Sequence, residues 1–222
     1  MTVLHLADEG EAADLAAFLS RLLHYDRSAA VRLQGTGTAL AVFGRPPSFE
    51  VLAIRAVRLA KPYENGLDVT LDVTVSAGEL LESVDESAGT AVVPGAVTGP
   101  PWAGVLPPRG GWQPVTGLPE PTELRALVLS GVAEFRARTE ELGSEERTRA
   151  ALDRIGREIW SRAVGDTRLP VRAVHAAQSL GFLRPGGQAA LFASGAWLRL
   201  RTPYGSIAVR QGGLGALGVS VR

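Results

Sequence analysis

The chain offers few side chains that do chemistry at neutral pH. Its three histidines, His5, His24 and His175, are scattered, and no two lie within a few residues, so no local two-histidine metal motif exists. There is no cysteine, which removes thiolate nucleophiles, thiolate metal ligands and disulfides together. His24 stands in "HYD" (24–26) at the end of a predicted helix, where a positive imidazole complements the dipole. His5 falls in a predicted strand and reads as structural. No serine sits in a G-x-S-x-G setting, and "ASGA" (193–196) reads as a turn. Asp68 and Asp72 share one strand face but stand about 13 Å apart along it, too far for a carboxylate dyad. Glu140–Glu141 and Glu145–Glu146 flank a helix–helix turn and read as solvated. "GLGALG" (213–218) spells the dinucleotide fingerprint, yet only four residues follow it. The helix and second acidic strand that the mechanism needs find no room. No catalytic residue, metal or cofactor is expected, and an enzyme is not the favoured reading.

What remains is arginine, 22 of them against the single Lys61. Net charge is zero, but residues 1–117 hold 8 basic and 13 acidic side chains and residues 118–222 hold 15 and 10. From 167 onward there are seven arginines (168, 172, 184, 199, 201, 210 and 222) and no carboxylate. Such asymmetry marks either a nucleic-acid surface or two halves that dock on each other. The candidate surface comprises Arg168, Arg172, His175, Arg184, Trp197, Arg199, Arg201 and Arg210.

The elements that must position these residues follow from pattern. "VLHLA" (3–7) reads as a strand, and 9–24 as a helix with Ala12, Leu15, Ala16, Leu19, Leu22 and Leu23 on one face. "SAAVRLQGTGTALAVFG" gives two strands joined at Gly35–Gly37, and "SFEVLAIRAVRLA" a third, apolar on both faces and hence central. In "LDVTLDVTV" (67–75) the odd-numbered apolar residues face the core, and Ser76 then caps a short helix with Glu79 completing the box. Residues 94–121 hold eight of the fourteen prolines and six glycines, which is a connector without ladder donors. Trp102 and Trp112 are expected to pin it by burial. Helices follow over 121–141 (Thr122 cap; Leu124, Leu127, Val128, Val132 and Phe135 in a stripe), 144–164 (Ser144 cap) and 170–180, which closes at Gly181. Three strands come last, and no internal sequence repeat is visible.

A two-residue loop at 194–195 pairs Leu191 with Leu198 and Phe192 with Trp197; one at 203–204 pairs Leu200 with Ile207 and Trp197 with Arg210. Phe192, Trp197 and Arg210 then form a row beside Arg199 and Arg201, a platform on which single-stranded nucleic acid could stack, or a face that packs on the acidic half. The order helix, helix, helix, strand, strand over 121–201 also resembles a winged helix-turn-helix. That resemblance implies helix 170–180 as the recognition helix, with Arg172, His175 and Ser179 on its polar face and Gln178 nearby. It departs from the pattern in a middle helix of nearly twice the usual length, a long "GDTRL" connection and an extra strand.

The reading is an α+β protein: a mostly antiparallel sheet domain with one or two helices over 1–93, a connector over 94–121, and a helical domain ending in a three-stranded meander, loosely winged-helix-like, over 122–222. Its expected role is non-enzymatic binding of a protein partner or a second copy; the alternative is nucleic-acid binding through 168–210. Acidic residues in the first turns, and apolar runs broken by Gly and Pro, predict no signal peptide, no membrane helix and a cytoplasmic location.

Overall fold

The computed structural model describes residues 2–60 and 67–212. Lys61, Arg222 and the 213–218 glycine motif lie outside them, as does the Asp68 side chain. The chain is α+β, with ten strands and five α-helices among the described residues. In order these are β1 (Val3–His5), α1 (Glu9–Tyr25), β2 (Ala30–Gly37), β3 (Ala39–Gly44), β4 (Leu52–Arg58), β5 (Leu67–Ser76), α2 (Ala77–Glu82) and β6 (Thr90–Val92). Then come β7 (Gln113–Val115), α3 (Pro121–Glu140), α4 (Arg149–Trp160), α5 (Val171–Ser179), β8 (Ala190–Ser194), β9 (Trp197–Thr202) and β10 (Gly205–Arg210). β1 and β6 make a small antiparallel pair. The other eight strands form one antiparallel sheet in the order β5-β2-β3-β4-β10-β9-β8-β7.

The sheet runs unbroken through both halves of the chain, joined where β4 lies antiparallel to β10 (Ile54 opposite Ser206, Leu52 opposite Ala208). α1 leads into the meander β2–β3–β4, and α5 into the meander β8–β9–β10. Strand order and direction are therefore those of two helix-plus-meander units about an approximate two-fold axis through the β4–β10 pair. Both helices pack on the same face. Leu15, Phe18 and Leu22 of α1 and Ala173, Val174 and Ala177 of α5 share one core with Val31, Leu33, Val42, Leu198, Leu200 and Ile207. α3 docks on α5 through Leu124 and Val128, while Arg138 of α3 pairs with Glu158 of α4 (2.9 Å) and Glu134 of α3 with Arg162, two residues past the end of α4.

Local chemistry explains the boundaries. Asp8 caps α1 by accepting from the Glu11 N–H (2.8 Å), and Ser76 caps α2 by accepting from the Glu79 N–H. α3 starts at Pro121 behind Glu120, whose N–H donates to Glu123 Oε2 (3.0 Å), so Thr122 is not its cap. α4 is capped by Thr148 rather than Ser144 and has 12 residues, because Ser144 sits in an irregular turn. The connector does supply a strand: β7 pairs with β8 despite Pro114. β7 is the outermost strand, where a missing N–H can face away from the sheet.

The acidic-to-basic asymmetry is partly spent across the join. Arg184 pairs with Asp14 (2.7 Å) and lies 4.0 Å over the Tyr204 ring, and Arg172 approaches Glu50 (3.9 Å). Arg55, buried on β4, donates to Glu11 (3.0 Å), to Asp14 (3.2 Å) and to the Tyr204 carbonyl (2.8 Å).

Candidate functional site

The helices cover one face of the sheet; the opposite face holds the residues of interest. Along β9 the alternation that buries Leu198 and Leu200 under the helices turns Trp197, Arg199 and Arg201 to this second face. Across the ladder Trp197 stands beside Arg210 and Ser194, Arg199 beside Ala208 and Phe192, and Arg201 beside Ser206 and Ala190. The loop between β8 and β9 is Gly195–Ala196, with Gly195 at φ 54°, so the expected pairing of Phe192 with Trp197 is displaced by two residues. The β9–β10 register is as expected. A two-residue slip keeps every side chain on its face but puts Phe192 next to Arg199.

The connector straps over one part of this face. Trp102, Val105, Leu106 and Trp112 pack on a second, smaller core of Phe43, Leu52, Ile54, Trp197 and Ala208. Trp112 donates its indole N–H to the Pro108 carbonyl (3.0 Å), and Trp197 is left 8% exposed. Trp197 is therefore a packing residue, not a stacking surface.

Two concavities flank the strap and share Ala56 and Arg199. The smaller, of about 320 Å³, is walled by Ala41, Phe43, Ile54, Pro107 and Pro108, with Gln34, Arg109 and Arg199 contributing polar atoms. The larger is an open trough of about 1260 Å³ floored by Phe192, Arg199, Arg201 and Ser206 and rimmed by Glu120, Arg125 and Gln188. Arg199 lies 5.7 Å from the Trp112 ring, and its Nε is buried without a hydrogen-bond partner among the described residues. Burial, and then the charge of Arg201, lower its pKa from the usual guanidinium value, though arginine remains charged. Among the described residues neither Arg199 nor Arg201 forms an ion pair. Beside the smaller cavity, burial works against ionisation of Asp72. Hydrogen bonds from Arg32 (2.9 Å) and Gln34, with the charges of Arg32 and Arg109, outweigh it and hold that carboxyl below its usual value.

The eight candidate residues do not form one surface. Arg199 and Arg201 are in the trough; Trp197 and Arg210 lie on the same face at its strapped end. Arg168 is exposed on the loop before α5. Arg172 and Arg184 turn toward Glu50 and Asp14. His175 is half-buried between Trp160 (4.5 Å) and Phe49 (5.0 Å), and burial lowers its pKa. No residue of α5 is exposed, because the sheet, α3, α4 and the Pro47–Phe49 turn surround it. A recognition helix needs a free face, so the role implied by the winged-helix resemblance does not fit α5. Arg109, Arg125 and Gln34 were missed from the sequence. They come from the connector, α3 and β2, and no local signal brings them together with Arg199. Among the described residues no group of three histidine, aspartate or glutamate side chains is placed to hold a metal, and no helix is long and apolar enough to cross a membrane.

Two families match the chain, one for each half. Residues 1–104 match a domain of unknown function (DUF8010), and residues 107–214 match another domain of unknown function (DUF8185). The gap between the matches falls inside the proline-rich connector. No curated protein matches the chain.

Proposed function

We propose that the chain is a non-enzymatic binding protein, and that its trough holds an acidic segment of a protein partner across Arg199 and Arg201. The observation that carries this is the pair of guanidinium groups two positions apart on one strand face, in a concavity, with no ion pair among the described residues. Two like charges side by side are unfavourable until an anion joins them, and Arg presents a planar fork that suits carboxylates. Arg125 at the rim adds a third cation. Nucleic acid is the second reading, favoured by Phe192 beside Arg199. It is the weaker one because stacking uses several exposed aromatics, and Trp197 lies under the strap.

Fluorescence anisotropy tests both readings. Labelled Glu/Asp-rich peptides and single- and double-stranded DNA are titrated at low and physiological salt against the protein and its Arg199→Ala/Arg201→Ala variant. The proposal expects the acidic peptide to bind, and to weaken at least tenfold in the variant. DNA binding tighter than the peptide, falling linearly in log–log salt dependence, would install the nucleic-acid reading instead. Absence of any binding at low salt would overturn both.

A further inference from the structure

We infer that the smaller cavity is a separate ligand site, for a small amphipathic carboxylate with an aliphatic or arylalkyl body. The inference stands apart from the trough reading, and the two concavities have only Ala56 and Arg199 in common. At about 320 Å³ the cavity reaches the lower end of the range that holds small ligands, roughly 300 Å³ upward. Its walls are apolar: Ala41, Phe43 and Ile54 on the sheet, Pro107 and Pro108 from the connector. Its lining carries two cationic residues, Arg199 on β9 beside the Trp112 ring and Arg109 from the connector, with the neutral polar residues Gln34, Thr36 and Thr70 at the β2–β5 end. Such sites join an apolar body to a few placed polar groups that fix orientation.

The choice of anion follows from Arg199. Its Nε is buried, with no hydrogen-bond partner among the described residues, so its terminal nitrogens are the donors a ligand meets. A carboxylate accepts from two terminal N–H groups at once, in the planar two-bond geometry that Arg favours. The charged residues beside those apolar walls are both arginines, Arg109 and Arg199, so the charge they select in a ligand is negative. A bare inorganic anion would leave those walls wet. A ligand with one carboxylate and an apolar body satisfies both ends.

Isothermal titration calorimetry with octanoate and with 3-phenylpropanoate, each below its micelle-forming concentration, tests the site. Octan-1-ol and octylamine serve as controls. The expected result is binding of at least one carboxylate, at least tenfold tighter than either control, with a change in Trp112 fluorescence. Arg199→Met should weaken it tenfold or more. Ala41→Leu, which fills the cavity without touching the trough, should do the same while leaving acidic-peptide binding intact. Arg201→Ala should weaken the peptide and spare the carboxylate. Thermal melts of each variant establish that it is folded, and Ala41→Leu carries the test should Arg199→Met not fold. The inference is overturned by no binding of either carboxylate, by equal binding of octanol, or by affinity unchanged in Ala41→Leu. None of these results bears on the trough, whose failure is read from the peptide alone.

Discussion

Removing Glu11 tests how the two halves are held. Glu11 and Arg55 pair at 3.0 Å with side chains 10% and 6% exposed, and Glu11 also accepts from Arg58 Nε at 2.7 Å. Arg55 in turn reaches Asp14 and the Tyr204 carbonyl, so one guanidinium ties α1 to the loop before β10. Breaking a buried pair by deleting one partner costs about 3–5 kcal/mol, mostly because the surviving charge stays buried. Glu11→Ala leaves Arg55 with Asp14, at 3.2 Å and more exposed, so the expected loss is at the lower end, about 3 kcal/mol. That is a large share of the roughly 5–15 kcal/mol by which folded proteins are stable. Replacing both partners with apolar side chains, as in Glu11→Leu/Arg55→Met, removes the stranded charge and should restore most of the loss. Urea unfolding of the wild type, Glu11→Leu, Arg55→Met and their double variant measures the coupling directly, with Glu11→Ala unfolded beside them. A loss under about 1 kcal/mol for Glu11→Ala, or strictly additive single and double variants, would refute the reasoning. The pair would then be an ornament on a core that is stable without it.

Other outcomes follow from packing. A Cβ on Gly205 would lie 2.5 Å from the ring of the buried Phe182, so Gly205→Ala should destabilise by about 1–3 kcal/mol in urea unfolding, and Phe182→Leu should relieve it. Trp197→Ala should cost about 3–5 kcal/mol and release the strap, seen as a red shift in the fluorescence of Trp102 and Trp112. Burial holds the His175 pKa below the ordinary imidazole value, so the unfolded chain binds more protons as pH falls through about 6.5. Stability is therefore full above that pH and declines below it, and thermal melts of His175→Phe should lose this part of the pH dependence. Residues 1–104 made alone would present β4 as a bare edge where β10 belongs. They should aggregate, and co-expression with residues 105–222 should rescue them; a soluble, cooperatively melting fragment would contradict the shared core.

Much of the architecture is legible in the sequence because it is local. The alternation of β5, the stripe of α1 and the Ser76 cap each follow from a few adjacent residues. Boundaries fail where several polar residues compete to cap: Ser144 and Thr148 lie four apart, and Glu120 precedes Thr122. The faces of β9 survive an error in register because the slip was two residues. The misreading of α5 has a different cause. Arg172, His175 and Ser179 do recur on one side of it, but a polar stripe does not reveal whether water or another helix lies beyond. Here Trp160, Phe49 and Glu50 do. The candidate site was half legible: Arg199 and Arg201 were visible on their strand, whereas Arg109, Arg125 and Gln34 reach it only through tertiary folding.

The approximate two-fold axis explains why the site lies where it does. β3 and β9 are counterparts, each the middle strand of its meander. On the open face β3 presents Ala41 and Phe43, while β9 presents Arg199 and Arg201. Between them β4 and β10 supply Ile54, Ala56, Ser206 and Ala208, mostly small side chains that keep the floor low. Two similar backbones thus carry different chemistry: the middle strands change from apolar to cationic across the axis, while Arg32, Gln34 and Asp72 make the outer strands of the first unit polar. That change falls where Arg199 borders both concavities. The ligand proposed for the smaller cavity would set its apolar body and its anionic end across that seam, so the proposal rests on the difference between the units rather than on the fold they share.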